Sequence, residues 1–161
     1  MSISPPAPAI SGGTTLASQV AALCWRMHDG TVEVLLITSR DTGRWVIPKG
    51  WLIPGLSAAG SAAREAWEEA GVEGALLDKP LGQYLYDKIA RPAQALPCSV
   101  AVFPLHVTAL HKRFPERKQR RRKWFAATEA ALLVAEPDLR QLLELAAQRP
   151  DLLGQVSPPS S

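Results

Sequence analysis

An α+β fold on a mixed β-sheet is the class this sequence predicts, and three observations predict it. Strand-like runs dominate the first half of the chain, helical patterns interrupt them near residue 57 and again near residue 128, and strand and helix never alternate in the doubly wound manner. The 161 residues fit one compact domain, expected over residues 17–148. Residues 1–16 and 149–161, rich in Pro, Ser, Gly and Ala or lacking a periodic pattern, are expected to be flexible tails. There is no internal repeat.

The elements follow in order. Residues 18–26 and 32–38 are rich in β-formers and flank the turn-forming Asp29 and Gly30, so they read as an antiparallel pair. Residues 44–47 make a short strand that ends as the chain passes Pro48 and reaches Gly50. Residues 57–70 read as a helix, with Ala59, Ala62, Ala63, Ala66 and Ala70 on one face and Gly71 as its stop. Residues 81–88 and 98–108 are the next strands, with 91–97 a loop between them and Pro104 fitting only at an edge or a bulge. Residues 123–126 form a last strand. A short helix over 128–134 starts with Thr128 as its cap. In the final helix Pro137 suits the first position, and Leu139, Leu142, Leu143 and Ala146 repeat at i, i+3, i+4, i+7.

Composition excludes several classes. With 47% hydrophobic and 20% charged residues the chain can bury a core, which rules out a fibre or a wholly disordered polymer. No apolar run approaches the ~18 residues of a membrane helix, and residues 1–16 lack the pattern of a secretory leader, so a soluble cytoplasmic protein is expected. Cys24 and Cys98 have no spacing that suggests zinc or a disulfide framework and read as small buried hydrophobes. His28, His106 and His111 are scattered and read as ordinary strand or surface residues, while Trp45, Trp51, Trp67 and Trp124 read as packing residues rather than a base-stacking platform. The net charge of +3 hides an asymmetry, because residues 112–123 hold eight of the 18 basic residues and one of the 15 acidic ones. An acidic body with one basic stripe suits an anionic ligand, whether phosphates, nucleic acid or a membrane surface.

The informative stretch is residues 50–72, GWLIPGLSAAGSAAREAWEEAGV. On a helix, Glu65, Glu68 and Glu69 fall at i, i+3 and i+4, so three carboxylates crowd one face. Arg64 can pair with Glu68, but one arginine cannot neutralise three acids, and a divalent cation removes the remaining repulsion. Ligands that are all oxygen favour Mg²⁺ or Mn²⁺ over zinc. A solvated acidic face is the bland alternative.

The register of this stretch resembles the signature of the Nudix hydrolases, G-x5-E-x7-R-E-U-x-E-E-x-G-U with U aliphatic. Gly50, Arg64, Glu65, Glu68, Glu69, Gly71 and Val72 match it, Ala66 stands at an aliphatic position, and Leu56 replaces the first glutamate. The resemblance implies a mixed sheet sandwiched between helices, with the motif as loop, helix and loop. It implies Mg²⁺-dependent hydrolysis of a diphosphate bond, with Mn²⁺ able to substitute. It casts Glu68, with Arg64, as the catalytic residues, Glu68 being the general base. Glu65 and Glu69, with Glu68 beside them and the backbone carbonyl of Lys49, become the metal ligands.

The segments VAALCWR (20–26), EVLLITSRDTGRWVIPKG (33–50) and RRRKWF (120–125) further resemble the diphosphoinositol polyphosphate and diadenosine polyphosphate hydrolases. That group implies a small polyphosphate substrate, with Ser39, Arg40, Lys49, Arg121 and Arg122 contacting phosphate. Capping of a turn by Arg40 and a solvent-facing Arg121 are the structural alternatives. Two other functions compete: an RNA 5′-end pyrophosphohydrolase or nucleic-acid binding module acting through residues 112–123, and a non-catalytic ligand sensor on the same scaffold.

Overall fold

The computed structural model describes residues 17–91 and 94–154. Its centre is β1 (Ala17–His28), whose apolar run alternates between two faces: Val20, Ala22 and Cys24 point one way and Ala21, Leu23 and Trp25 the other. Both sets are buried, so this strand is covered on both sides. β2 (Thr31–Thr38) pairs antiparallel with its second half, the turn lying at Asp29 and Gly30 as expected, and β3 (Trp45–Val46) and β8 (Arg122–Ala126) pair with β2. On the other side β7 (Gln94–Leu110) runs parallel to β1 and pairs antiparallel with both β6 (Gly82–Arg91) and β5 (Val72–Leu76). One parallel ladder among antiparallel ones makes the sheet mixed.

Three helices cover it. α1 (Ala58–Ala70) lies on one face against β1, β5 and β7, packing with Leu35, Ile37 and Phe103. α2 (Ala127–Leu133), α3 (Pro137–Gln148) and a turn of 3₁₀ helix (Pro150–Leu153) lie on the other, around Trp25, Val34 and Leu36. No described helix is long and apolar enough to cross a membrane.

Several expectations need correction. The chain does not leave the sheet at Gly50: Lys49–Trp51 form β4, which pairs with the first half of β1. The segment 91–97 is not a loop. β6 and β7 form a long hairpin paired out to Arg91 and Gln94, because a backbone ladder continues through polar and proline-bearing sequence without needing apolar alternation. Pro104 lies inside β7, between the residues paired with β6 and those paired with β5; its carbonyl accepts the Leu77 N–H at 3.2 Å, so its missing donor falls where one partner strand hands over to the next. Thr128 sits within α2, whose cap position is Ala126 and has no side-chain hydrogen bond. The expected tail beginning at residue 149 starts too early, since Leu153 is buried in the core beside α3. The expected tail residues 1–16 and 155–161 lie outside the described residues. Cys24 and Cys98 are both buried, as expected.

Candidate functional site

β1 exchanges partners along its length, β4 on its first half and β2 on its second. A cleft of about 470 Å³ opens beside this split, lined from β1 by Gln19, from the turn after β2 by Ser39 and Arg40, from β4 by Lys49 and Trp51, and from α1 by Glu65 and Glu69. Tyr86 of β6 and Glu116 and Arg120 of the β7–β8 loop complete the wall.

Helix α1 is set up locally. The Ser57 side chain accepts the Gly60 N–H at 2.9 Å, and the buried Ser61 hydroxyl accepts the Ile53 N–H at 3.0 Å, clamping the preceding loop to the first turn. Gly71, at φ 68°, ends the helix in the left-handed conformation that glycine adopts without a steric penalty. Ala59, Ala62, Ala66 and Ala70 are buried, and their small side chains let the helix lie close to the sheet. Ala63 is only half-buried; Ser61 and Glu69 take buried places instead.

That close approach carries Glu69 inside. It is 7% exposed, and it shares a side-chain hydrogen bond with the half-buried Glu65 one turn earlier. Burial first, then this hydrogen bond and the neighbouring charges of Glu65 and Glu116, push the Glu69 carboxyl up to about 8, against the opposing pull of Arg120. The Glu65 carboxyl is also raised, chiefly by burial. The two carboxyls thus share a proton, and Glu69 Oε1 faces the Lys49 N–H at 3.4 Å and Arg120 at 3.8 Å. Gly50 makes the room: a Cβ there would stand 2.5 Å from the Glu65 carboxyl carbon.

Among the described residues no group of three or more His, Cys, Asp or Glu side chains is gathered closely enough to hold a metal ion as it stands. The two-carboxylate pair nonetheless suits a hard divalent cation, because its donors are all oxygen and its buried negative charge is balanced by a shared proton that a cation can replace.

The cationic rim is more ordered than the sequence suggested. Arg120, 10% exposed, is held by Glu116 at 2.8 Å, by Glu69 and by the Thr38 carbonyl at 3.1 Å. Arg40 donates to Gln119 at 3.2 Å. Ser39 ties its own turn, its hydroxyl 2.6 Å from that of Thr42. The Lys49 ammonium lies 4.8 Å from the centre of the Tyr86 ring. The Tyr86 hydroxyl donates to Gln19 Oε1 at 2.5 Å, which turns the amide nitrogen of the nearly buried Gln19 the other way, with no partner among the described residues.

Of the residues expected from sequence, Ser39, Arg40, Lys49, Glu65 and Glu69 come together here. Four do not. Glu68 is 39% exposed outside the cleft and pairs with Arg64 at 3.9 Å, itself half exposed. Arg121 is exposed and pairs with Thr38 through its backbone. Arg122 turns to the end of α1, where it donates to the Ala70 carbonyl and lies over the Phe114 ring. Leu56, in place of the motif's first glutamate, is exposed and does not line the cleft.

Gln19, Tyr86, Arg120 and Glu116 were missed; the available signals were a glutamine at the head of an apolar run and one acid inside a basic stretch. Trp51 also departs from expectation, being 44% exposed at the cleft rather than packed. The histidines stay outside: His106 stacks on Trp25, His111 pairs with Glu73 and His28 with Asp29.

A model of the NUDIX domain matches residues 17–146. Among curated proteins, Nudix hydrolase 12, mitochondrial, of Arabidopsis thaliana is 34% identical over 116 residues, covering 70% of this chain and 57% of that protein. Diphosphoinositol polyphosphate phosphohydrolase 3-alpha of Homo sapiens is 32% identical over 114 residues, covering 70% and 65%. The chain spans about six-tenths of the length of the curated relatives it matches. Among solved structures, a C. elegans Ap4A hydrolase binary complex superposes with a TM-score of 0.59 at 19% identity, covering 79% of this chain and 92% of that one. The NUDIX domain of Shewanella oneidensis NrtR complexed with ADP ribose superposes at 0.59 and 17% identity, covering 88% and 92%. These two likenesses concern the fold.

Proposed function

This chain belongs to the Nudix family, and on that premise we propose that it is a Mg²⁺-dependent pyrophosphohydrolase acting on a small, highly anionic substrate of the dinucleoside polyphosphate or diphosphoinositol polyphosphate type. The observation that carries the reading is the Glu65–Glu69 pair, half-buried and buried respectively, proton-sharing and seated against Gly50 in a cleft that also carries Arg40, Lys49 and Arg120. Glu65 and Glu69, with the Lys49 carbonyl, would hold the cation, which when bound supplies neutralisation of charge on the phosphoryl oxygens. Mn²⁺ fits the same donors.

The chain's own groups do the rest. Arg40 and Lys49 attract and orient the phosphates, and Gln19 offers a neutral N–H donor in the cleft. Removing a proton from the attacking water needs a carboxylate near the pair. Glu68 and Glu116 both act electrostatically on Glu65, and Glu116 is the one lining the cleft. We therefore extend the role first expected of Glu68 to a choice between the two, which kcat for Glu68→Gln and Glu116→Gln distinguishes. Trp51, exposed beside the cleft, offers a flat face to a base and favours the nucleotide substrates.

The test is a phosphate-release screen over nucleoside diphosphate sugars, dinucleoside polyphosphates and diphosphoinositol phosphates, with Mg²⁺ and with EDTA. Hydrolysis of a dinucleoside polyphosphate that needs Mg²⁺, with KM raised in Trp51→Ala, is the expected result. Turnover that persists undiminished in EDTA would end the reading.

A further inference from the structure

Arg120 also lines a second concavity, of about 320 Å³, together with Lys112, Phe114, Arg117, Lys118 and Arg122. We propose that it is a phosphate-binding site, distinct from the cleft and joined to it through Arg120.

The frame is anchored rather than loose. The loop carrying it is tied by backbone hydrogen bonds from Glu116 to Glu68, from His111 to Gly71 and from Gln119 to Glu116, and Arg122 fixes its base to the end of α1. The charge on this frame is unbalanced. The loop's one acid, Glu116, faces Arg120 and the cleft, and no acidic residue lines the concavity. Two of its five cations are engaged, Arg120 with carboxylates and Arg122 with the Ala70 carbonyl. The side chains of Lys112, Arg117 and Lys118 have no hydrogen bond or ion pair among the described residues. Three unpaired cations on a concave wall focus a positive field that an anion with several charges satisfies.

The ring chemistry selects among anions. Stacking of bases needs an open aromatic face, and the Arg122 guanidinium lies over one face of Phe114, the aromatic residue lining the concavity, 4.9 Å from the ring centre. The cations that remain favour phosphate. Because Arg120 lines both cavities, phosphates entering here lie next to those of a substrate in the cleft. They can belong to that substrate's distal end or to a separate inorganic polyphosphate. The first of these sources rests on the function proposed above; the site itself does not.

The experiment titrates the full chain with inorganic tripolyphosphate by calorimetry in EDTA, where no hydrolysis intervenes. The triple variant Lys112→Ala, Arg117→Ala, Lys118→Ala should bind at least about tenfold more weakly, with a shallower salt dependence, while its thermal midpoint stays near that of the parent. Lys112→Arg, Arg117→Lys, Lys118→Arg, which keeps the charges, should retain binding, and so should Arg40→Ala, which removes a cation from the cleft alone. Equal affinity in the parent and the triple alanine variant overturns the site, as does loss in Arg40→Ala alone, which would put the anion in the cleft. Affinity for an oligoribonucleotide that grows with its length and disappears in the triple variant would replace it with a nucleic-acid surface.

Steady-state kinetics then separate the sources. A KM raised about tenfold for a dinucleoside tetraphosphate, and unchanged for a nucleoside diphosphate sugar, assigns the site to the substrate's distal phosphates. Lost tripolyphosphate binding with both KM values unchanged supports the site and assigns it to a separate polyphosphate. A chain that binds tripolyphosphate here yet hydrolyses nothing in the screen removes the proposed activity and leaves the site standing.

Discussion

Glu69 is a carboxyl that folding makes costly to ionise, and this makes the site visible to a stability measurement. Its folded-state value of about 8 lies above the ordinary 4.5, and Glu65 is raised in the same direction. A group raised on folding stabilises while it keeps its proton. That contribution is whole below about pH 4.5 and is lost as pH rises through about 8. In EDTA the thermal midpoint should therefore fall between pH 5 and pH 9, more steeply than in Glu69→Gln, which holds no titratable group there. Mg²⁺ should raise the midpoint more at pH 8 than at pH 5, since at the lower pH it must displace a tightly held proton. In turnover, Glu69→Gln should lower kcat by at least ~10²-fold, through loss of a ligand that stabilises the transition state. Gly50→Ala makes a separate check on the same pair. Its methyl carbon would meet the Glu65 carboxyl within 2.5 Å, so Glu65 must swing away, and the half-saturating Mg²⁺ concentration should rise by roughly 10- to 100-fold while the fold persists. A Gly50→Ala enzyme with the parental Mg²⁺ dependence would show that Glu65 does not need its present position.

At the scale of elements, α1 is finished by residues it does not contain. Its first turn holds no acid and its last turn no base, and the cation at its C-terminal end is Arg122 of β8, donating to the Ala70 carbonyl. Arg122→Ala should then cost about 1–2 kcal/mol in urea unfolding, through a lost charged hydrogen bond at a helix end. With the Arg122 side chain outside the cleft, KM for a nucleoside diphosphate sugar, which has no distal phosphates, should hold within about twofold. A KM rise without a stability loss would return Arg122 to the substrate-contacting role expected from sequence. The contrast marks what could be read in advance. β1 and β2 are long runs of β-forming residues, α1 carries a side-chain cap and a glycine stop, and α3 has Pro137 in its first turn and leucines at helical spacing, so local sequence specifies them. β4 and β5 are short strands held by distant partners, and nothing local distinguishes them from loops. The same holds at the site. Glu65 and Glu69 lie one turn apart on a single helix and are legible from spacing. The choice among Arg120, Arg121 and Arg122 depends on how the β7–β8 loop enters the sheet, which only tertiary structure decides.

The whole molecule is a sheet with two unlike cores, and they should answer mutation differently. The face under α2 and α3 is built from large side chains, including Trp25, Leu139, Leu143 and Leu153, and contains no residue of the carboxylate pair. The face under α1 is thinner, with Ala59, Ala62, Ala66 and Ala70 against Val20, Ala22 and Cys24. On that face the helix that packs is also the helix that carries Glu65 and Glu69, so its distance from the sheet sets the depth at which the pair is buried. Leu153→Ala empties a fully buried position in the first core and should cost about 2–5 kcal/mol, because the lining relaxes only partly into the cavity. Measured well below its lower midpoint, that variant should keep the parental kcat, since α1 has not moved. Ala66→Val adds bulk between α1 and the sheet, where Ala66 is completely buried, and should cost about 1–3 kcal/mol, by overpacking. Less destabilising on the whole, it should nonetheless be the more damaging change to catalysis, because displacement of α1 shifts both carboxylates together and a misplacement of ~1 Å can cost ~10²-fold. Unfolding midpoints and kcat measured side by side on the two variants decide the matter: a kcat that tracks stability in both would mean that the two faces are coupled as one core, and a loss confined to Ala66→Val would locate the control of the site in the alanine seam.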